Sequence, residues 1–538
     1  MPRLMSVSLL VLFCGAGWFM STAISQTLVV PGEHARIAWD YSSMQQLAEQ
    51  GGYPRLKVLR SGTWVAVYED YQGHIFLKRS VDQGQSWSAP VAVFRAFPAD
   101  RADSVTIRMS NPELIELASG RLLMACNYRP SKDGVAPFAI AIRESGDQGE
   151  NWSEAEVLFE GGIDFKDGCW EPSFLQLPSG EVQLYFANES PYRESDEQEI
   201  SVMRSIDNGH SWSDPSRVSF RAERRDGMPV AARSDRDIYL AIEDNKMGEF
   251  KPYILRSAVE NSWQQTVTGE SPQRWFALDS LQADSVYMGA PYLLKLPSGG
   301  YLLSYQTNKD RGRDWQQSTM EVRISGPSAR AFGRTSRPFP VPLMGEAKWN
   351  ALSLLDAHRV AALSSVKFNK NEKVSPWLIQ GYILKDTLVL ENENDSAHLF
   401  VGARSTNQVH LWVKHQDGAW CIRTTYDSDT SGSSNSGYAI YFSGPSDERW
   451  RLRVDHQGAV NLAYWVQGDW TERALPPDWS VRPCSTGTGH VIQVPAEKHP
   501  AFRMGLALYR PDQEPEYLIH MDPQDPQTWI VLKTNTHE

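Results

Sequence analysis

The chain is short of positive charge, cysteine and long apolar runs, and each shortage closes off a class of function. Lysine and arginine number 53 against 65 aspartates and glutamates, a net charge of -12. That balance offers no electrostatic footprint to nucleic acid or to an anionic membrane surface. The five cysteines among 538 residues match no metal-binding spacing, and no His or Cys cluster points to a catalytic metal, so neither a metal nor a cofactor is expected. Beyond the N-terminus no segment is apolar for long enough to span a bilayer. Helical periodicity is almost absent too, which leaves strands to build a large core from a composition that is 41% hydrophobic and 11% aromatic.

The N-terminus reads as an export signal. Arg3 supplies the positive end, Leu9 to Met20 an apolar stretch, and Ala23 to Ser25 the small residues of a cleavage site before Gln26. We expect cleavage after Ser25 and a secreted or periplasmic monomer; the alternative is an uncleaved membrane anchor. Cys14 follows the bulky Phe13, where a lipoprotein cysteine needs a small neighbour. Export permits disulfides among Cys126, Cys169, Cys421 and Cys484. The last two share the final third of the chain and form a plausible pair, while Cys126 and Cys169 are equally compatible with buried thiols.

One hairpin pattern repeats along the first 385 residues. "VLRSGTWVAVYED", "ELASGRLLMACNY", "QLPSGEVQLYFANE" and "KLPSGGYLLSYQT" each place a glycine turn between two apolar strands, and "AARSDRDIYLAIEDN" and "LLDAHRVAALSSV" are degenerate copies. Six hairpins at a period of roughly 60 residues predict an all-β, six-bladed β-propeller over residues 26–385, in which each blade buries its faces against its neighbours. A second repeat, S-x-D-x-G-x-x-W, occurs as "SVDQGQSW", "SGDQGENW" and "SIDNGHSW". Its aspartates (Asp82, Asp147, Asp207) can bind their own loop backbone, its glycines permit positive φ, and its tryptophans (Trp87, Trp152, Trp212) can pack across the turn. A motif written three times is scaffold. These copies resemble the Asp boxes, or BNR repeats, of sialidases and related exo-glycosidases.

Inner hairpin strands bring the start of one strand and the end of the next to a common edge, so the residues there converge on one mouth of the central channel. The blades offer, in order, Tyr53, Arg55, Glu69 and Asp70; Arg108, Asn111, Glu113 and Asn127; Trp170, Glu171, Asn188 and Glu189; Arg225, Asp226, Glu243 and Asp244; Asp284, Tyr287, Tyr292 and Tyr305; and Trp349 with Asn350. Carboxylates, amides and aromatic rings suit a neutral polysaccharide or oligosaccharide substrate. Two carboxylates stand out. Glu171, between Trp170 and Pro172, sits where apolar neighbours would raise its pKa toward that of a general acid, and Glu243 closes an apolar strand that delivers it to the rim. The competing structural roles are ion pairing of Glu171 with Arg55 or Arg108, and a strand-end salt bridge for Glu243.

The segments "YPRL", "WEPSFLQLPSGEVQLYFANE", "RDGMPV" with "IYLAIEDN", and "GAPYLLKL" resemble glycoside hydrolase family 93, six-bladed exo-α-1,5-L-arabinanases that retain configuration. That resemblance implies Glu171 as general acid/base, Glu243 as nucleophile, and Arg55 and Tyr292 as sugar contacts. Sialidase is the rival: such an enzyme would use Arg55 as its first arginine and Glu171 as an activating carboxylate. It would also want an arginine near Asn188, which Arg225 or Arg311 would have to replace. A non-catalytic glycan-binding propeller is the third reading. Residues 386–538 alternate apolar and polar positions around a Ser/Gly-rich loop at Asp427 to Gly437 and predict a β-sandwich. Its ending "PQDPQTWIVL" resembles the family 9 carbohydrate-binding modules, which implies sugar binding; the alternative is a sandwich that only buttresses the propeller. Trp412, Trp465 and Trp470 are then stacking platforms or core.

Overall fold

The computed structural model describes residues 35–100 and 102–385. Beyond them it describes 387–390, 396–401, 409–416, 419–426, 437–443, 448–455, 459–466, 469–483, 489–495, 501–509, 516–517 and 530–534. The signal segment, Cys14, the loop from Asp427 to Ser436 and Cys484, the partner suggested for Cys421, lie outside these residues. Cys126 and Cys169 are buried free thiols.

Almost all regular structure is strand. After β1 (Ala35–Gln46), the first sheet runs β2 (Gly52–Val58), β3 (Trp64–Glu69), β4 (Ile75–Ser80), β5 (Val91–Phe94). The second holds β6 (Phe97–Ala99), β7 (Ala102–Glu116), β8 (Leu122–Pro130), β9 (Ala139–Ser145) and β10 (Glu156–Glu160). The third holds β11 (Cys169–Gln176), β12 (Val182–Asn188), β13 (Glu199–Ser205) and β14 (Ser216–Phe220). The fourth holds β15 (Asp226–Arg233), β16 (Asp237–Asp244) and β17 (Lys251–Ala258); β18 (Val267–Thr268) pairs back onto β14, and β19 (Arg274–Phe276) completes the fourth sheet. The fifth holds β20 (Met288–Lys295), β21 (Tyr301–Thr307), β22 (Thr319–Ser325) and β23 (Gly333–Ser336), and the last β24 (Glu346–Leu354), β25 (Arg359–Lys367) and β26 (Ser375–Lys385). Apart from β18, which pairs parallel with β14, and β1, which joins the last sheet from the other end of the chain, each sheet is a meander of antiparallel neighbours, the product of short turns between apolar strands.

The first strands β2, β7, β11, β15, β20 and β24 lie side by side in chain order, and β24 returns to β2. The six sheets therefore close a ring. Strand pairing closes its seam: β1, from the N-terminal end, adds antiparallel to β26 as the outer strand of the last sheet, with Ile37 opposite Ile383 and Trp39 opposite Gly381. A Cβ at Gly381 would fall 2.6 Å from the Trp39 ring, so only glycine lets that indole close the seam. Between the first strands runs an axial cavity of about 320 Å³, lined by Lys57, Glu113, Phe174, Tyr292 and Lys295 among others.

The three S-x-D-x-G-x-x-W segments join third strand to fourth strand in the first three sheets. In the first, Asp82 Oδ1 accepts from Ser86 N–H at 2.9 Å and from the Ser80 hydroxyl at 2.7 Å, while Gly84 N–H donates to Ser80 Oγ at 2.8 Å. Asp147 and Asp207 repeat this pattern. The bonds hold Asp82 and Asp147 at a pKa of about 2, below the usual carboxylate range. Trp152 and Trp212 donate their indole N–H to the carbonyls of Gly149 and Gly209, and Trp87 donates to Gln45 Oε1. These turns lock the outer halves of three sheets, away from the first strands.

Past Lys385, an eight-stranded and a five-stranded sheet share one core, in which Trp420, Ile422, Ile492 and Val494 of one meet Tyr438, Ile440, Phe442, Leu452 and Met504 of the other. Trp465 and Trp470 pair edge to face, with ring centroids 5.1 Å apart, and are half-buried. The Trp412 side chain lies outside the described residues.

Candidate functional site

All six first strands carry the same irregularity. Near its start each slips register against the second strand, between Gly52 and Arg55, Ser110 and Glu113, Trp170 and Ser173, Gly227 and Val230, Gly289 and Tyr292, and Lys348 and Ala351. The residue inside each slip has left-handed backbone: Tyr53 (φ 49°), Asn111 (53°), Glu171 (52°), Met228 (51°), Ala290 (50°) and Trp349 (56°). All but Trp349 are followed by proline, which a bulge accepts because no ladder hydrogen bond needs its missing N–H. Six non-glycine residues at positive φ around one mouth are a concentration of strain of the kind found at functional sites.

Side chains from the preceding sheet hold these bulges. Asn111 N–H donates to Glu69 Oε2 (2.8 Å), Glu171 N–H to Asn127 Oδ1 (2.9 Å), Ala290 N–H to Glu243 Oε2 (2.7 Å), Trp349 N–H to Gln306 Oε1 (2.7 Å) and Tyr53 N–H to Ser365 Oγ (2.8 Å). The five acceptors occupy one register position on their second strands, and in the third sheet that position is Ala187, opposite Trp170. Ala187 has nothing to offer Met228.

Glu171 and Glu243 belong to this ring in different capacities, the first as a bulged residue and the second as a cap. They stand on the adjacent third and fourth sheets. Burial pushes the Glu171 carboxyl up to about 8, the charges of Glu243 and Glu189 add to the rise, and Arg129 and Arg225 oppose it. Burial also pushes Glu243 up to about 7, against the Ala290 N–H bond and Arg225. A Cβ at Gly289 would collide with the Tyr287 hydroxyl and with Glu243 Oε2. Glycine there keeps Tyr287 and Glu243 within the same small volume, and Gln306 Nε2 fixes that hydroxyl at 3.0 Å. Two carboxyls both raised toward neutrality, the first higher than the second and feeling its charge, are equipped to share acid and base roles. Among the described residues no three His, Cys, Asp or Glu side chains group to hold a metal ion.

The other expected residues divide. Tyr53, Asn111 and Trp349 are in the ring, and Tyr53 and Trp349 pack together with centroids 6.4 Å apart. Arg55 lies just inside it, 3.9 Å over the Tyr53 ring and 5.2 Å from that of Tyr292, which itself lines the axial cavity. Arg55 pairs with Glu113 at 3.0 Å, which disposes of an Arg55 partnership for Glu171. Four expectations are corrected. Arg108 is exposed and packs over the turn at Gly73, with no ion pair to Glu171. Trp170 is buried against Phe138 and Phe165, its indole N–H on Glu189 Oε2 at 3.0 Å, so it offers no open face to a sugar. Asn188 turns into its own sheet, donating to Ser201 Oγ and accepting from Ser190. Asp226 is fully buried in an ionic cluster with Arg274, which also reaches Asp244 at 2.7 Å.

Two residues at the mouth escaped sequence reasoning. Trp315 packs between Tyr287 (5.7 Å, tilted) and Trp349 (6.3 Å, edge to face) and extends the Tyr53–Trp349 pair into an aromatic arc, the residue itself 38% exposed. Arg129 lies 5.1 Å over the Trp170 ring, two residues past Asn127 on the same face of β8. The recurring X-Pro step at the start of the first strands was the available signal for the ring; nothing comparable marks Trp315 or Arg129.

No protein-family model and no curated protein sequence matches the chain. Solved structures similar to it include a protein of unknown function from Dyadobacter fermentans (15% identity over 64% of this chain and 100% of that one, TM-score 0.48). Others are an α-L-arabinofuranosidase of Fusarium graminearum, in complex with arabinobiose (16%, 65% and 98%, 0.47), and the NanB sialidase of Streptococcus pneumoniae (14%, 66% and 70%, 0.45). At such identities a shared reaction does not follow.

Proposed function

We propose that the chain is an exported, exo-acting glycoside hydrolase that releases sugar from the ends of a neutral polysaccharide, with arabinan the first candidate. The observation that carries this reading is the placement of Glu171 and Glu243: two half-buried carboxyls from adjacent sheets at one mouth of the ring, the first on a bulge whose backbone N–H is held by Asn127 and the second held through its carboxylate by the Ala290 N–H, with the Glu243 charge felt at Glu171. In this reading the six sheets are the blades of a β-propeller and residues 386–538 form an accessory β-sandwich. Glu171, protonated at neutral pH, donates its proton to the departing glycosidic oxygen. Glu243 attacks the anomeric carbon, and Glu171 then takes a proton from the incoming water. Retention requires carboxyls about 5 to 5.5 Å apart.

The three arginines that a sialidase reading would call on favour a neutral sugar over a sialic acid. Arg55 is engaged by Glu113 and Arg225 by Glu189, while Arg311 donates to the carbonyls of Gln317, Val341, Pro342 and Gly345, so none of these three is left to grip a substrate carboxylate. The test is sugar release by the mature protein from linear and debranched arabinan, other plant oligosaccharides and sialyllactose, beside Glu171→Gln and Glu243→Gln. Arabinose-containing products lost in both variants are expected. Sialic acid release, or activity that survives either substitution, refutes the reading, and silence on every substrate favours a glycan-binding protein.

A further inference from the structure

We infer that Arg129 is a specificity-determining residue, whose guanidinium fork binds a vicinal pair of hydroxyls on a neutral sugar beside Glu171. The inference rests on the glycosidase reading of the same site. Five carboxyls (Glu69, Glu113, Glu171, Glu189, Glu243) and three guanidiniums (Arg55, Arg129, Arg225) gather at or just inside the mouth. Two of the three cations are engaged by carboxylates, Arg55 by Glu113 and Arg225 by Glu189. Arg129 is not. Its guanidinium lies over Trp170 and Phe165, at 5.1 and 5.6 Å from the ring centroids, and none of its N–H groups meets an acceptor among the described residues. Stacking on aromatic faces satisfies the flat side of a guanidinium and leaves its in-plane donors free.

The shelf beneath it is rigid. Trp170 is clamped by Glu189 through its indole N–H and by Phe138 and Phe165 through ring contacts. It also directly precedes Glu171, so one short segment sets the distance between the free fork and the candidate acid. Asn127, two residues before Arg129 on the same face of β8, holds the Glu171 N–H, which places the guanidinium near the mouth. A fork of this shape matches either a carboxylate or a diol. The surrounding carboxyls decide between them: with Glu113 and Glu189 already paired, an anionic substrate group would still face Glu69 and Glu243 with one unengaged cation, whereas a diol accepts hydrogen bonds without adding charge.

The test separates the fork from the charge. Binding of arabino-, xylo- and galacto-oligosaccharides and of uronate- and sialyl-terminated oligosaccharides is measured by calorimetry on Glu171→Gln protein, alone and with Arg129→Lys or Arg129→Met. A neutral ligand that loses about 10- to 100-fold in affinity in both double variants is expected, because lysine keeps the charge but not the fork. In the active protein, Arg129→Met should move the alkaline limb of kcat/KM upward and Arg129→Lys should not. Equal affinity across the three proteins overturns the inference and leaves the glycosidase reading intact. Preferential, Arg129-dependent binding of an anionic terminus overturns the diol assignment. Failure of every ligand to bind overturns the inference too, and sugar release by the wild-type protein separately decides whether the glycosidase reading falls with it.

Discussion

Replacing Glu171 by glutamine should make the protein more stable, and only at high enough pH. The carboxyl rises from 4.5 to about 8 on folding, chiefly through burial, so the native state holds a proton that the unfolded state has released. Below pH 4.5 both states are protonated and the group costs nothing. Between pH 4.5 and 8 the penalty for folding an ionisable Glu171 grows, and above pH 8 it is complete. A rise of that size corresponds to a ceiling of about 5 kcal/mol, which partial exposure of the side chain reduces to a few. Glutamine has the same shape, tolerates the same positive φ no worse, and carries no charge. Urea denaturation of wild type and Glu171→Gln at intervals from pH 4 to 9 should show coincident midpoints at pH 4 and a widening advantage for the variant toward pH 8. A variant that is equally stable at pH 9, or an offset that does not change with pH, would refute the claim that burial and the Glu243 charge hold this proton.

Asn127→Ala removes the partner of both Glu171 N–H and the Cys169 carbonyl, and should cost about 2 to 4 kcal/mol of stability and lower kcat; a variant unchanged in urea would contradict the cap. Asp226→Asn should lose about 3 to 5 kcal/mol by leaving Arg274 with an incomplete ion pair in a buried site, with KM unchanged in whatever protein still folds. Gly381→Ala should cost about 1 to 3 kcal/mol by pressing on Trp39, read as a lowered denaturation midpoint. Asp207→Ala should lower the thermal midpoint yet leave kcat/KM alone, since its turn lies on the outer half of the third sheet.

Hairpin periodicity made the sheets legible, because a glycine turn between apolar strands dictates local pairing wherever it occurs. The mouth was harder. Reading outward along an antiparallel hairpin assumes that side chains alternate without interruption, and the bulge at each first strand breaks that assumption. Glu243 and Asp244, on a second strand, still alternate: the first reaches the bulged Ala290 on the next sheet while its neighbour is buried against Arg221 and Arg274. Asn188 and Asp226 stand at sheet ends that look equivalent in sequence, but they fall on the inward side of the same alternation. Arg129 was missed because it lies past the strand positions that the hairpin pattern selects, held by a ring on another sheet. Trp315 belongs to a loop whose position the hairpins do not constrain.

The cap ring also bears on why Glu243 suits its proposed task. Asn127, Gln306 and Ser365 occupy the same register position and each holds a bulge, so the scaffold role is the general one and Glu243 performs it as well. Its Oε2 accepts the Ala290 N–H, which fixes the carboxylate plane and leaves Oε1 beside Gly227, close to where the Gln198 side chain also reaches. That bond opposes the burial that raises the pKa, keeping the group closer to the ionised form a nucleophile needs. Glu243→Gln preserves an acceptor for Ala290 and should therefore abolish turnover with the fold intact, whereas Glu243→Ala should lose both turnover and stability. If the alanine variant proved as stable as the glutamine one, the carboxylate would not be a cap, and its orientation would need another cause. In the glutamine variant the charge that helps hold the Glu171 proton is gone as well. Glu171 should then titrate lower than in the wild type, a shift that infrared difference titration of the carboxyl band can follow without any substrate.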